Sequence, residues 1–156
     1  MFEQLVARSF RPVNRKDLDG WMRAWGDDAT FDFPGHSPIS GHFEGKAAIE
    51  AWWRCWFDRM TEVRFTPVHV AFANPFGFSV ANTVFTQLTV DVTTKDGLTA
   101  HADLVNVSQV RGGKIVAARD YFFDPSVEEA VWGRVVDPSD RVLTGEHRDP
   151  GQPSEG

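Results

Sequence analysis

The sequence predicts an α+β fold in which helices pack against a strongly curved antiparallel sheet. Apolar residues recur at spacings of three and four near the N-terminus and again from Lys46 to Met60, a pattern typical of helices that bury one face. After Met60, long apolar runs separated by short turns are typical of strands. Helices followed by a run of antiparallel strands form an α+β arrangement.

The N-terminal third is expected to contain three helices. The first covers Phe2 to Phe10, and Pro12 interrupts it. The second is capped by Asn14 and continues to Trp25. Gly45-Lys46 begins the third, which ends near Met60.

A short strand and a loop separate the second and third helices. Ala29 to Phe33 alternates, so that Phe31 and Phe33 share one face. Pro34 to Pro38 is rich in proline and glycine and is expected to be a loop.

The remaining sheet is predicted from four runs bounded by Asn-Pro, Lys-Asp-Gly and Gly-Gly turns. These runs are Glu62 to Ala73, Phe76 to Thr94, Leu98 to Arg111 and Lys114 to Phe123. A short helix, Ser126 to Trp132, follows them. Residues 1–136 are therefore expected to form one domain, and residues 137–156, which are polar and rich in proline and glycine, a flexible tail.

Composition excludes several classes of function. The 156 residues carry a formal charge of −6, and no basic cluster indicates a nucleic-acid partner. No apolar run approaches the length of a membrane span. Cys55 is the single cysteine, so neither a disulfide framework nor a cysteine zinc site is expected, and a cytoplasmic location fits.

Large aromatic residues are unusually frequent, with six Trp and thirteen Phe against one Tyr. This much apolar ring surface indicates a cavity lined by aromatic side chains, an oligomer interface, or both.

Asp120 is the most informative polar residue of the last strand. Alternation places it on the same face as Val116, Ala118 and Phe122. A carboxylate in an apolar row is either ion-paired, exposed at a strand end, or used for chemistry, and burial would raise its pKa. On the preceding strand, Asn106 lies on the more apolar face and is also expected to point inward.

Four strings in order resemble the nuclear transport factor 2-like superfold, a cone-shaped, cystatin-like α+β architecture. They are KDLDGWMRAW, GDDATFDFPG, SGHFEGKAAIEAWW and GGKIVAARDYFFD, and the resemblance covers roughly residues 2–133. Within that superfold the chain is similar to SnoaL-like polyketide cyclases, ketosteroid isomerases and limonene epoxide hydrolases.

The resemblance implies roles for both polar residues. Asp120 falls where the cyclases and the epoxide hydrolases place a catalytic aspartate. Asn106 falls where the isomerases place a hydrogen-bond donor, and its amide could donate to an oxygen that gains charge.

The departures from these families are equally informative. Phe33 replaces the isomerase general base, and Ser9 replaces the isomerase tyrosine. Thr89 and Gln87 replace the second aspartate and the arginine of the hydrolases. Strict isomerase or epoxide hydrolase chemistry is therefore not expected, and a single acid/base resembles the cyclases best.

We therefore predict a cofactor-free acid/base enzyme of cyclase, isomerase or lyase type, acting on a small hydrophobic, polyketide- or terpenoid-like carbonyl compound. The alternatives are a non-catalytic ligand-binding module, an epoxide hydrolase-like enzyme, and a scaffold whose cavity is filled by its own side chains. The expected catalytic residues are Asp120 and Asn106. The expected substrate-binding residues are Gln87, Thr89, Phe31, Phe33, Trp21, Trp25, Trp53, Trp56, Leu104, Phe122 and His36.

No metal site is expected, since His101 and Asp103 on one strand face lack a third ligand. The resemblance also implies a homodimer through the outer sheet face, in which Arg119, Tyr121, His101, Asp103 and Val105 would meet the partner chain. Neither a nucleic acid nor a membrane is expected as a partner.

Overall fold

The computed structural model describes residues 2–74, 81–137, 139 and 143. Its helices are α1 (Phe2–Ser9), α2 (Arg11–Asn14), α3 (Leu18–Met22), α4 (Lys46–Arg59) and α5 (Ser126–Trp132). Its strands are β1 (Trp25–Phe33), β2 (Gly41–Glu44), β3 (Met60–Phe72), β4 (Ala81–Thr94), β5 (Thr99–Arg111) and β6 (Lys114–Phe122). The start of the predicted strand Phe76 to Thr94, as far as Val80, and nearly all of the predicted tail lie outside the described residues.

One sheet of six strands runs in the order β2-β1-β6-β5-β4-β3. The neighbouring pairs are antiparallel except β1 and β6, which are parallel. The predicted α+β class is confirmed, but the sheet is mixed where an entirely antiparallel one was expected. Most of the chain separates β1 from β6 in sequence, so short-range turn signals could not reveal this parallel pair.

The N-terminal helices differ from prediction in a cap and in a boundary. Asn14 does not cap the second predicted helix, which is observed as α3. Asp17 caps α3 by accepting a hydrogen bond from the Gly20 amide at 2.9 Å. Asn14 instead pairs with the backbone of Phe65 on β3, donating to its carbonyl at 3.1 Å and accepting from its amide at 2.7 Å. Trp25, predicted to end that helix, begins β1.

The core lies between α4 and the sheet and consists mainly of aromatic rings. Trp53 is its centre, with ring centroids 4.9 Å from Trp52, 5.4 Å from Trp21 and 5.5 Å from Phe57. Buried Phe31 of β1 packs edge-on against Trp52 at 4.8 Å. Trp52, Trp53 and Trp56 are all buried residues of α4, and this apolar face of the helix forms one wall of a cavity.

α5 closes the molecule at the end of β6. Asp124 accepts hydrogen bonds from the Ser126 amide and hydroxyl at 3.0 and 2.6 Å, which starts the helix. Arg59, at the end of α4, donates to the Val131 carbonyl at 3.2 Å. After the helix, the Val135 amide donates to the His36 carbonyl at 2.8 Å. These contacts hold α5 against the body of the protein.

Candidate functional site

Asp120 and Asn106 are directly opposite one another on β6 and β5. The Asn106 amide Nδ2 donates to Asp120 Oδ1 at 2.8 Å. The Ser108 hydroxyl in turn donates to Asn106 Oδ1 at 2.6 Å. The sequence predicted that both side chains point to the inner face. In the structure they are hydrogen-bonded to one another, and Ser108 extends this to a chain of two neutral donors.

This environment raises the pKa of Asp120 above that of an exposed aspartate. No basic side chain in the described ranges forms an ion pair with it, so the expected alternative of an internal arginine does not arise there. Burial raises the pKa of Asp120 to about 6, and the single hydrogen bond from Asn106 opposes that rise only in part. A carboxyl with such a pKa exchanges protons readily near neutral pH.

Asp120 lines two adjacent cavities, together with Trp53 and Phe65, which line both as well. The larger cavity, of about 230 Å³, is mostly apolar and has Asn106 and Ser108 in its wall. The smaller is a slot of about 40 Å³ between α4, the sheet and α5. The core is therefore not completely filled by its own aromatic side chains.

The smaller cavity contains a second carboxyl group, Glu128 of α5. Its Oε2 atom is buried and has no hydrogen-bond partner among the residues that the structure describes. Burial, and then the nearby Asp120 charge, raise the pKa of Glu128 to about 8. Two acids with separated pKa values thus share one cavity, and such a separation distinguishes an acid from a base in enzyme sites.

Sequence reasoning missed Glu128, although a signal for it was present. Val131 and Trp132 follow it at i+3 and i+4, so the three share one helix face. Because that face carries two apolar residues, Glu128 had to point toward the core as they do.

Indole groups supply further polar atoms of these walls. Trp52 Nε1 donates to the Ile39 carbonyl at 2.9 Å. By contrast, the Nε1 atoms of Trp21, Trp25, Trp53 and Trp132 are buried without an acceptor among the described residues. Each of these four side chains lines one or both cavities, so they are potential donors to a bound oxygen atom.

Most of the predicted substrate-binding residues lie around these cavities. Trp21, Trp25 and Phe31 line the larger one, and Trp53 lines both. The remaining members at the smaller one are Phe33, Trp56, Leu104 and Phe122. Whether they bind substrate stays a prediction.

The predicted orientation of Gln87 and Thr89 is wrong. On β4 the buried positions are Thr86, Leu88 and Val90, and the alternating pattern turns Gln87 and Thr89 to the opposite face. The resemblance placed this strand one residue out of register, and a shift of one residue exchanges the two faces of a strand. Thr86, which is directly opposite Asn106, lines the larger cavity instead.

Two smaller expectations also fail. His36 has an exposed side chain and lines neither cavity. Val116 does not share the inner face with Asp120, because a register shift between β5 and β6 puts Ile115 opposite Val110 and Ala117 opposite Gln109. Ile115 therefore occupies the cavity wall where Val116 was expected.

The histidines near acidic groups form ion pairs on the outer side. His101 Nδ1 lies 2.7 Å from Asp91 and its Nε2 lies 3.5 Å from Asp103. In the described parts of the chain, no three His, Cys, Asp or Glu residues come together in a way that could hold a metal ion.

The helices and the six-stranded mixed sheet are those of the nuclear transport factor 2-like, ketosteroid isomerase-like fold. Within that fold, the chain belongs to the SnoaL-like domain family, which matches residues 6–118.

Three similar proteins illustrate this relationship. YesE, an uncharacterized protein of Bacillus subtilis strain 168, is 30% identical over 121 residues, which are 76% of this chain and 78% of YesE. A proposed isomerase from Bacillus subtilis is 26% identical, with a TM-score of 0.68 over 86% of this chain and 94% of its own. TerC, whose structure contains polyporic acid, is 22% identical, with a TM-score of 0.63 over 82% of this chain and 95% of its own.

None of the described helices is both long and apolar enough to span a membrane. The expected cytoplasmic location and the division into residues 1–136 and 137–156 stay predictions.

Proposed function

We propose that this protein is an acid/base enzyme that moves a proton on a small hydrophobic carbonyl compound. The observation that carries the proposal is Asp120, a half-buried residue whose carboxyl has no ion-pair partner in the described ranges and lies at the boundary of two cavities lined mainly by apolar side chains. A pKa of about 6 leaves Asp120 mostly ionised at neutral pH, yet basic enough to accept a proton.

The chemical step follows from this position. The Asp120 carboxylate takes a proton from the carbon next to the substrate carbonyl, and the electrons of that C–H bond form an enol or enolate. Return of the proton to another carbon would give an isomer, and attack of the enolate on a second carbonyl would close a ring.

Asn106 has a different role in this mechanism from the one the resemblance implied. One of its N–H groups is already committed to Asp120, and its carbonyl accepts from Ser108. We therefore assign Asn106 to positioning Asp120 rather than to stabilising an enolate oxygen.

The test is proton exchange on apolar cyclic ketones such as 2-tetralone, followed by ¹H NMR in D₂O. The wild-type protein should accelerate loss of the α-proton signal, and Asp120→Asn should slow the catalysed exchange by at least about 100-fold, because the amide cannot accept the proton. Asp103→Asn, an exposed aspartate on the outer side, is the matched control and should exchange at the wild-type rate.

Binding measured in parallel by tryptophan fluorescence separates the alternatives. Ligand binding without accelerated exchange would indicate the binding module, and equal exchange by the wild type and Asp120→Asn would refute the proposed role of this residue. Strict epoxide hydrolase chemistry is disfavoured, since the buried positions of β4 are Thr86, Leu88 and Val90, which supply neither a second aspartate nor an arginine.

We also propose that the outer sheet face forms the homodimer that the resemblance implies. Tyr121 is 52% exposed there and lies opposite Val105 in the sheet. Light scattering decides this point, and a monomer at micromolar concentration would refute it.

A further inference from the structure

The smaller cavity contains an acid that the mechanism above does not use. Glu128 is carried by the last helix, whereas Asp120 is carried by the last strand, and both side chains line the same narrow space. Within the described part of the chain, the buried Oε2 atom has no hydrogen-bond partner, which is costly for a group that only maintains the fold.

The charged groups around α5 do not neutralise Glu128. Arg59 bonds to the Val131 carbonyl and pairs with Asp96 at 3.3 Å. Arg134 lies 3.9 Å from Glu129, the next residue along the helix. The charge that acts on Glu128 is that of Asp120, and it is repulsive.

The chemistry of the cavity wall limits what a bound molecule can be. Trp53 and Trp132 line the same cavity, and their indole N–H groups are buried without acceptors among the described residues. A carboxylic acid and two indole donors among apolar rings suit an oxygen atom that accepts hydrogen bonds. A wholly apolar ligand would leave all three groups without a partner.

We propose that Glu128 is a second catalytic residue, the acid that donates a hydrogen bond and then its proton to the substrate's carbonyl oxygen while Asp120 removes the proton from the adjacent carbon. This inference rests on the proposed function and names its substrate class more closely: a ketone or 1,3-diketone whose oxygen enters the smaller cavity.

The step balances without any other reactant. Asp120 gains the proton of the C–H bond, and that electron pair becomes the C=C bond of the enol. The carbonyl π electrons form the new O–H bond with the proton of Glu128. At neutral pH the two acids have the required states, because the pKa of Asp120 lies near 6 and that of Glu128 near 8.

Glu128→Gln tests proton donation, because glutamine has a similar volume and keeps a hydrogen-bond donor but cannot transfer its proton. We expect 2-tetralone exchange to fall by about 100-fold. The wild-type rate should also decline as the pH rises above about 8, where Glu128 loses its proton. In Glu128→Gln this decline should disappear. Glu129→Gln, on the same helix but paired with Arg134, should keep both the wild-type rate and its pH profile.

Binding of 2-naphthol, an aromatic mimic of the enol, supplies a readout that does not need turnover. Glu128→Ala should weaken its binding by about 10-fold, the value of one buried hydrogen bond, whereas Glu128→Gln should weaken it less. Circular dichroism verifies that each variant is folded.

The outcomes separate the two proposals. If Asp120→Asn is inactive while Glu128→Gln keeps the wild-type rate and pH profile, and Glu128→Ala keeps its affinity for 2-naphthol, the role of Glu128 is refuted and the proposed function stands. If Asp120→Asn exchanges protons as the wild type does, the proposed function itself fails.

Discussion

At the scale of single residues, the hydrogen bond from Asn106 is the main influence that opposes the effect of burial on Asp120. It stabilises the carboxylate and so lowers a pKa that burial raises. The ionisation of Asp120 should therefore be tuned by a neutral neighbour rather than by a charge.

Removing that neighbour gives the first prediction at this scale. In Asn106→Ala the pKa of Asp120 should rise above its present value of about 6, and the rising limb of the exchange rate should move to higher pH. The pH dependence of 2-tetralone exchange measures this shift. Ser108→Ala, which leaves the Asn106–Asp120 bond in place, should shift the limb less. An unmoved limb in Asn106→Ala would contradict the assignment of Asn106 to positioning Asp120.

The second prediction concerns the pH dependence of stability. A group whose pKa is raised in the folded state binds more protons there than in the unfolded chain, so the free energy of unfolding falls as the pH rises. Glu128 has a pKa of about 8 when folded, against an ordinary value of 4.5. The contribution of protonated Glu128 to the free energy of unfolding is therefore fully present below about pH 4.5. It is lost as the pH rises from there to about 8, at up to about 1.4 kcal/mol per pH unit. Asp120 acts with the same sign between 3.8 and about 6.

Urea unfolding of the wild type and Glu128→Gln across this range measures the effect. Since the amide cannot ionise, the variant should gain stability relative to the wild type as the pH rises, by a few kcal/mol between about pH 5 and pH 9. Stability curves that stay parallel over this range would mean that Glu128 is solvated.

At the scale of elements, α5 must hold Glu128 in place although it has only seven residues, too few to be stable alone. Its position depends on contacts made by other elements. Arg59 is the contact from α4, since it bonds to the Val131 carbonyl.

Arg59→Ala should therefore loosen α5 without unfolding the protein. We expect amide hydrogen exchange in Ser126–Trp132 to accelerate, with a loss of global stability of about 1 kcal/mol. Mass spectrometry of exchanged peptides locates the change. Arg54→Ala, on the same helix but in an exposed pair with Glu50, is the control and should leave α5 unaffected. Equal protection of α5 in both variants would show that other contacts hold it.

The elements also show why some predictions from the sequence succeeded. The inner faces of β5 and of the second half of β6 were predictable because the strand pairing is unbroken from Ala102 to Ser108 and from Ala118 to Phe122. The register shift near Ala117 was not predictable, because the extra residue has no turn signal of its own. The inward orientation of Gln87 and Thr89 was predicted from the resemblance alone. The alternation of β4 itself buries Thr86, Leu88 and Val90 instead.

At the scale of the whole molecule, the α+β class followed from the order of the segments. The parallel pairing of β1 with β6 did not, because it joins residues about 90 positions apart in the chain. Glu128 was missed for a related reason: a helix surface shows which side is buried, but only the folded structure shows that Asp120 faces the same space.

The two interior acids lie close together near the end of the chain, at positions 120 and 128, whereas the region that matches the SnoaL-like family ends at residue 118. The matched part therefore builds nearly all of the larger cavity, whereas the segment after it supplies both acids and, through Phe122, Val127, Val131 and Trp132, part of the smaller cavity's wall. We expect family members to differ most in reactivity where they differ in this segment, even when their aromatic walls are alike.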